Sequence, residues 1–229
     1  MQDHPDAVML FAAGRGTRMG ALTATCPKPL IKVGGKTLID HALTQIDAHG
    51  PARIVANTHH LGDQVAAHLS DRPDIALSDE SDNLLETGGG LRKALPLLGA
   101  GPVFTVNSDA VWTGPSPLTT LARAWNPAKM DALLLLISAD RALAHAGEGD
   151  FSMDDAGHLT RGPGYVYTGA QIIRPEGLAI IPDPAFSLNL LWDSMLLDER
   201  VFGVVHPGGW CDVGHPEGIE IAEKMLADG

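Results

Sequence analysis

Ala7-Val-Met-Leu-Phe-Ala-Ala-Gly-Arg-Gly-Thr-Arg-Met19, followed within ten residues by Pro27-Lys28-Pro29-Leu30, is the stretch whose reading decides the fold. Residues 7–13 form an unbroken apolar run of strand length, as expected for a strand buried on both faces of a parallel sheet. The run breaks at Gly14-Arg15-Gly16, where two glycines let the backbone turn sharply and bring N–H groups close to phosphate oxygens. Arg15, Arg18 and Lys28 concentrate three cations here, in a chain with 28 acidic and 16 basic residues. A glycine turn and cations at the end of a strand are what holding a triphosphate requires.

Two familiar phosphate motifs do not fit. A dinucleotide fingerprint needs a third glycine at position 19, which is Met19. Gly35-Lys36-Thr37 lacks the first glycine of a Walker loop, since position 30 is Leu30, and reads instead as a turn and helix start. Downstream, apolar spacing predicts helices over 37–49 and 61–69 and strands over 53–57 and 75–78. The resulting β-α-β-α-β order predicts a Rossmann-like α/β fold, a mostly parallel central sheet flanked by helices. Further helices are predicted over 91–98, 116–125, 187–197 and 216–226, with strands over 102–106, 131–138, 165–173 and 201–205. Residues 151–153 and 158–161 read as a hairpin, so the later half carries a small antiparallel subregion.

At 229 residues, 45% apolar and 19% charged, the chain has the size and composition of one globular domain. No apolar run approaches the ~20 residues of a membrane span, and the first residues lack the pattern of a signal peptide. Two cysteines suggest no disulfide framework and fit a reducing, cytoplasmic setting. A net charge of −12 argues against nucleic acid or an anionic membrane as partner. A triphosphate must then be held locally, by backbone N–H groups, a few cations and a divalent metal.

Asp109, just past the carboxyl end of the strand over 102–106, stands where ligands bind in open α/β sheets and is a candidate metal ligand. Gly88-Gly89-Gly90 is entropically unfavourable unless something needs it, and is read here as a close approach to a ligand. The acidic loop 79–83 reads either as a solvated connection or as part of that ligand site. Cys26 and Cys211 read as small apolar residues, and His59-His60 as turn or surface histidines.

The opening stretch, together with Leu85-Glu-Thr-Gly-Gly-Gly90, Val106-Asn-Ser-Asp109, Gly149-Asp-Phe151, Tyr167-Thr-Gly169 and Trp210-Cys-Asp-Val-Gly214, resembles the signature of the sugar-phosphate nucleotidyltransferases. The pattern is closest to that of the N-acetylmuramate-1-phosphate uridylyltransferases and their mannose-1-phosphate guanylyltransferase-like relatives. The resemblance implies one domain over 1–229, with a nucleotide-binding half (about 1–138) and a sugar-binding half (about 139–229), and no appended C-terminal β-helix domain. It implies transfer of a nucleotidyl group, UTP being the expected donor, to a sugar 1-phosphate such as N-acetylmuramate 1-phosphate, with release of pyrophosphate. GTP with mannose or heptose 1-phosphate is the alternative within the family, and an inert nucleotide-sugar-binding paralogue the alternative outside enzymes. A monomer or homodimer is expected.

By the same resemblance Arg18, Lys28, Asp109 and Asp212 are catalytic, with Asp109 and Asp212 sharing one Mg²⁺. Ala12, Ala13, Gly14, Arg15, Gly16, Thr17, Asp79, Glu80, Thr87, Gly88, Gly89 and Asn107 would bind the nucleotide. Asp150, Arg161, Thr168 and Gly169 would bind the sugar. The Glu-Lys pair that broader relatives place near the sugar is missing, Ser187 stands where lysine is common, and His215 where threonine is common.

Overall fold

The computed structural model describes residues 3–228; Met1, Gln2 and Gly229 lie outside the described residues. In chain order the first half contains β1 (Ala7–Phe11), the two-residue strands β2 (Lys32–Val33) and β3 (Lys36–Thr37), α1 (Leu38–Asp47), β4 (Arg53–Thr58), α2 (Gly62–His68), β5 (Ile75–Asp79), α3 (Glu86–Leu98), β6 (Val103–Asn107), β7 (Ala110–Trp112) and α4 (Pro117–Ala124). The second half adds β8 (Ala132–Ser138), β9 (Ala142–Leu143), β10 (Phe151–Met153), β11 (Leu159–Arg161), β12 (Tyr165–Ile173), α5 (Asn189–Leu197), β13 (Val201–Val205), β14 (Trp210–Asp212) and α6 (Glu217–Asp228).

The central sheet is mixed. Strands β5, β4, β1 and β6 are parallel neighbours in that order. The last four residues of β12 then pair antiparallel with β6, and β12 also pairs antiparallel with β8 and β10. The antiparallel part is thus continuous with the parallel part through the β6–β12 seam. β12 changes register between Tyr167 and Gln171, a bulge that places extra residues of β12 opposite a continuous β8.

Strand periodicity explains the layers. Along β1, Val8 and Leu10 face a core that includes Ile39, Leu43 and Ile46 of α1 and Leu118 and Leu121 of α4. Met9 points the opposite way, to Leu91 and Leu98 of α3 and Leu191 and Met195 of α5. β8 divides likewise, Leu133, Leu135 and Ile137 to the first core and Leu134 and Leu136 to the second. Such double-sided burial is why both strands read as continuous apolar runs. Local signals set the helix starts: the Thr37 hydroxyl accepts from the Asp40 N–H, and Ser116 caps α4 with Pro117 at its first position.

One helix differs from the sequence expectation. The apolar spacing predicts α3 over 91–98, after a glycine loop, but it begins at Glu86 and takes Gly88, Gly89 and Gly90 into its first two turns. The physical reason is packing. A Cβ on Gly88 would lie 2.3 Å from the Phe186 ring, and one on Gly89 would lie 2.4 Å from the Pro184 carbonyl oxygen. The glycines let the segment around Phe186 seat directly on the helix backbone.

Candidate active site

The decisive feature is a second, three-stranded sheet of order β7-β14-β9 that the periodicity does not announce. Asp109 follows β6 and immediately precedes β7. β14 pairs antiparallel with β7, so Asp212 stands opposite Ala110, and the Val213 N–H donates to the Asp109 carbonyl at 2.9 Å. Two aspartates far apart in sequence thereby become backbone neighbours. The core beneath, with Met19, Val111, Cys211, Val213 and Ala222, fixes α6 and the opening loop against this sheet.

Lys28 lies buried in a short 3₁₀ turn after Pro27 and forms an ion pair with Asp109 at 2.8 Å. Arg18 enters from the 3₁₀ segment Thr17–Thr23, its guanidinium 3.5 Å from His215 Nε2. Gly214 admits it: a Cβ there would stand 2.8 Å from Asp212 Oδ2 and 3.1 Å from Arg18 Cζ. Burial and the neighbouring Asp109 charge push the Asp212 carboxyl above its ordinary range, while Lys28, Arg18 and His145 oppose the shift.

Three cavities meet at Asn107. One of about 190 Å³ is lined by Ala13, Gly14, Lys28, Leu84, Thr87 and Asp109, among others. A second, of about 250 Å³, is walled by Asp150, Phe151, Arg161, Tyr167, Gln171 and Trp192. A third, smaller one holds Arg18, Asp109, His145, Asp150, Gly169 and Asp212. Gly169 makes the junction sterically feasible. Its φ is +88°, and a Cβ would come 2.9 Å from that of Asn107.

Several residues expected at the site have other partners. Ala12 lines none of the three cavities, and its N–H donates to Asn57 Oδ1 at 2.8 Å. Gly16, at φ +62°, packs on Lys28 and Thr23, while Arg15 and Thr17 line a separate hollow with His59 and His60. Glu80 is fully buried and accepts from Asn57 Nδ2 and from the Leu85 N–H, so it braces the loop rather than facing a ligand. Asp79 is exposed and accepts from the Ser81 N–H and hydroxyl. The N–H groups of Gly88 and Gly89 both donate to the Phe186 carbonyl, which leaves Thr87 at the cavity wall. Thr168 is buried with its hydroxyl donating to the Leu135 carbonyl. Asp150 Oδ2 accepts from the Tyr167 N–H, and Arg161 sits at the mouth of the second cavity, paired to Asp193 at 2.7 Å.

Residues that sequence reasoning missed line the same cavities: Phe11, Asn57, Leu84 and Glu86 at the first, and Gln171, Asn189 and Trp192 at the second. Glu86 is the clearest, a non-glycine held at φ +60°. Sequence gives no signal for that conformation.

Asp109 and Asp212 suit a hard divalent cation. Among the described residues no group of three or more His, Cys, Asp or Glu side chains could hold a metal alone. Two carboxylates completed by substrate phosphates and water match the way Mg²⁺ binds.

The mixed, mostly parallel sheet thus carries a glycine turn after β1 and two adjoining aspartates at one set of cavities. The MobA-like NTP transferase domain matches residues 8–192, and the chain belongs to that family. It is 41% identical to the N-acetylmuramate alpha-1-phosphate uridylyltransferase of Caulobacter vibrioides, over all of both chains. It is 36% identical to the enzyme of the same name from Neisseria meningitidis serogroup B, over 90% of this chain and 92% of that one. In fold it is similar to a UDP-glucose pyrophosphorylase solved with UDP-glucose, at TM-score 0.80 and 14% identity over 98% and 99% of the two chains. No helix among the described residues is long and apolar enough to cross a membrane.

Proposed function

We propose that the protein joins UTP to N-acetylmuramate 1-phosphate, giving the nucleotide-diphospho-sugar and pyrophosphate. The observation that carries the reading is the meeting of two cavities at Asn107, with Lys28 and Asp109 lining the first and Asp109 and Asp212 lining a third beside them. Identity of 41% and 36% to uridylyltransferases of that name, over at least 90% of each chain, supports the choice of base and sugar.

In this reading the nucleotide occupies the cavity beside Ala13, Gly14 and Thr87, and the sugar the cavity beside Asp150 and Tyr167. An oxygen of the sugar phosphate attacks the α-phosphorus in line with the departing pyrophosphate. Both reactants are anions, so the barrier is lowered chiefly by positioning and by fixed charge. Asp109 and Asp212 would hold a Mg²⁺, which would supply neutralisation of phosphate charge. Lys28, anchored on Asp109, adds a cation beside the attacked phosphate, and Arg18 offsets the charge that grows on the leaving group. No side chain serves as nucleophile. An inert binding paralogue would have no need of Arg18, Lys28, Asp109 and Asp212 together.

The test is a pyrophosphate-release screen of four nucleoside triphosphates against a panel of sugar 1-phosphates with Mg²⁺. Release with UTP and N-acetylmuramate 1-phosphate above other pairs is expected. Release with no pair would overturn the reading.

A further inference from the structure

The third cavity, of about 170 Å³, is the joint between the other two. It shares Asn107, Asp150 and Tyr167 with the 250 Å³ cavity, but only Asn107 and Asp109 with the 190 Å³ one. A phosphate that enters the joint from the sugar side meets three carboxylates there, Asp109, Asp150 and Asp212. Such an anion has to find hydrogen-bond donors to offset that repulsion. Two of the donors lining the joint are already engaged. Trp210 Nε1 donates to the Thr168 carbonyl at 2.9 Å, and the Thr168 hydroxyl donates to the Leu135 carbonyl at 2.8 Å. Arg18 comes in from the opening loop, beside His215. The remaining cationic side chain is His145.

The backbone fixes where His145 stands. β9 runs parallel to β14 with Leu143 opposite Cys211, so the residues after β9 approach Asp212. Ala144 then turns at φ +55°, uncommon for a non-glycine residue, and packs against the core of Met19, Val111 and Cys211. The far end of the loop is tied to β12 and the residue before it. There the Gly164 N–H donates to the Glu148 carbonyl at 2.7 Å, and the Asp150 N–H to the Tyr165 carbonyl at 2.6 Å. Between these anchors the half-buried His145 lines the joint, its ring centre 6.3 Å from that of Trp210. The rings of His41, His59, His60 and His206 each meet a main-chain carbonyl, whereas that of His145 has no hydrogen-bond partner among the described residues. Nor does His145 complete a metal site with the two aspartates, since no group of three such side chains among the described residues could hold an ion. An imidazole carries at least one N–H, neutral or charged. We propose that His145 donates from its ring to a non-bridging phosphate oxygen of the sugar 1-phosphate and so holds that phosphate for attack. The proposal rests on the sugar-phosphate reading above and adds to it a substrate-binding residue.

The experiment measures the KM for N-acetylmuramate 1-phosphate and the KM for UTP, with Mg²⁺, in the wild type and in His145→Phe, which keeps a ring beside Trp210 but no donor. The KM for the sugar 1-phosphate rises about ten- to hundredfold, as expected for one hydrogen bond to a charged group, while that for UTP stays near the wild-type value. His145→Ala shows the same selective defect, and His145→Gln, which keeps an N–H, shows less of it. Calorimetric titration of the sugar 1-phosphate into enzyme holding a non-hydrolysable UTP analogue and Mg²⁺ gives the same ranking, and thermal unfolding confirms that each variant folds. A merely structural role would raise both KM values together, which overturns the proposal. An unchanged KM for the sugar 1-phosphate in His145→Phe and His145→Ala overturns it too, while the proposed activity stands. Failure of the wild type with every sugar 1-phosphate removes the activity and the proposal together.

Discussion

Replacing Gly90 by alanine separates two explanations of the glycine triplet. If helix propensity acted alone, Gly90→Ala inside α3 would stabilise the protein by about 0.5–1 kcal/mol. The structure predicts the opposite sign. The added Cβ would stand 2.7 Å from Glu80 Oε1 and 3.0 Å from Asn57 Nδ2, the two atoms that form a buried 2.7 Å hydrogen bond. Glu80 also accepts from the Leu85 N–H, and Asn57 accepts from Ala12 at the end of β1. A hydrogen bond to a charged group contributes about 1.5–3 kcal/mol. Set against the propensity gain, the net loss is about 1–2 kcal/mol, or roughly 2–8 °C in Tm for a chain of this size. Because Asn57 holds the strand end that leads into the glycine turn, kcat/KM falls as well. Thermal unfolding with and without nucleotide, beside steady-state kinetics, measures both. A variant as stable as the parent would refute the packing argument and return Gly90 to the ligand-approach reading.

Asp109→Asn and Asp212→Asn each lower turnover on the order of a hundredfold or more while the fold survives, as expected for a lost metal ligand; near wild-type rates would remove that residue from the mechanism. Cys211 is fully buried and its thiol is pushed up to about 12, chiefly by burial, so at pH 8 a maleimide labels Cys26 first; equal labelling in the folded state would contradict the burial. His206 is buried, which lowers its pKa, with the Thr113 carbonyl opposing and Arg141 reinforcing the shift. Its neutral form therefore adds stability that is fully present above about pH 6.5 and is lost as pH falls through the depressed folded value. Urea unfolding at pH 7.5 and 5.5 should show a smaller drop in His206→Gln than in the parent, and an identical drop would exclude His206 as the source.

Helices α1 and α4 and strands β1, β8, β12 and β13 were legible because each carries its own periodicity, cap or unbroken apolar run. That Asp109, just beyond β6, would border a cavity was legible because strand ends are where open α/β sheets place ligands. The acidic loop offered two readings, and the sequence could not choose between them. Asp79 and Glu80 look alike in sequence, yet one is solvated and the other fully buried beneath Asn57, a difference set by what packs on them.

The sequence alone therefore determined the α/β class, the glycine turn with its cations and the nucleotidyltransferase resemblance, because these are carried by contiguous residues. Only the tertiary structure decided that Asp109 and Asp212 adjoin, since that proximity comes from pairing between β7 and β14, three-residue strands too short to show a period. It also decided that Gly88–Gly90 pack against Phe186, Pro184 and Glu80, because those contacts come from chain segments outside the helix itself. Local preferences can be read along a chain, whereas the partners a side chain meets are fixed only once the sheet closes.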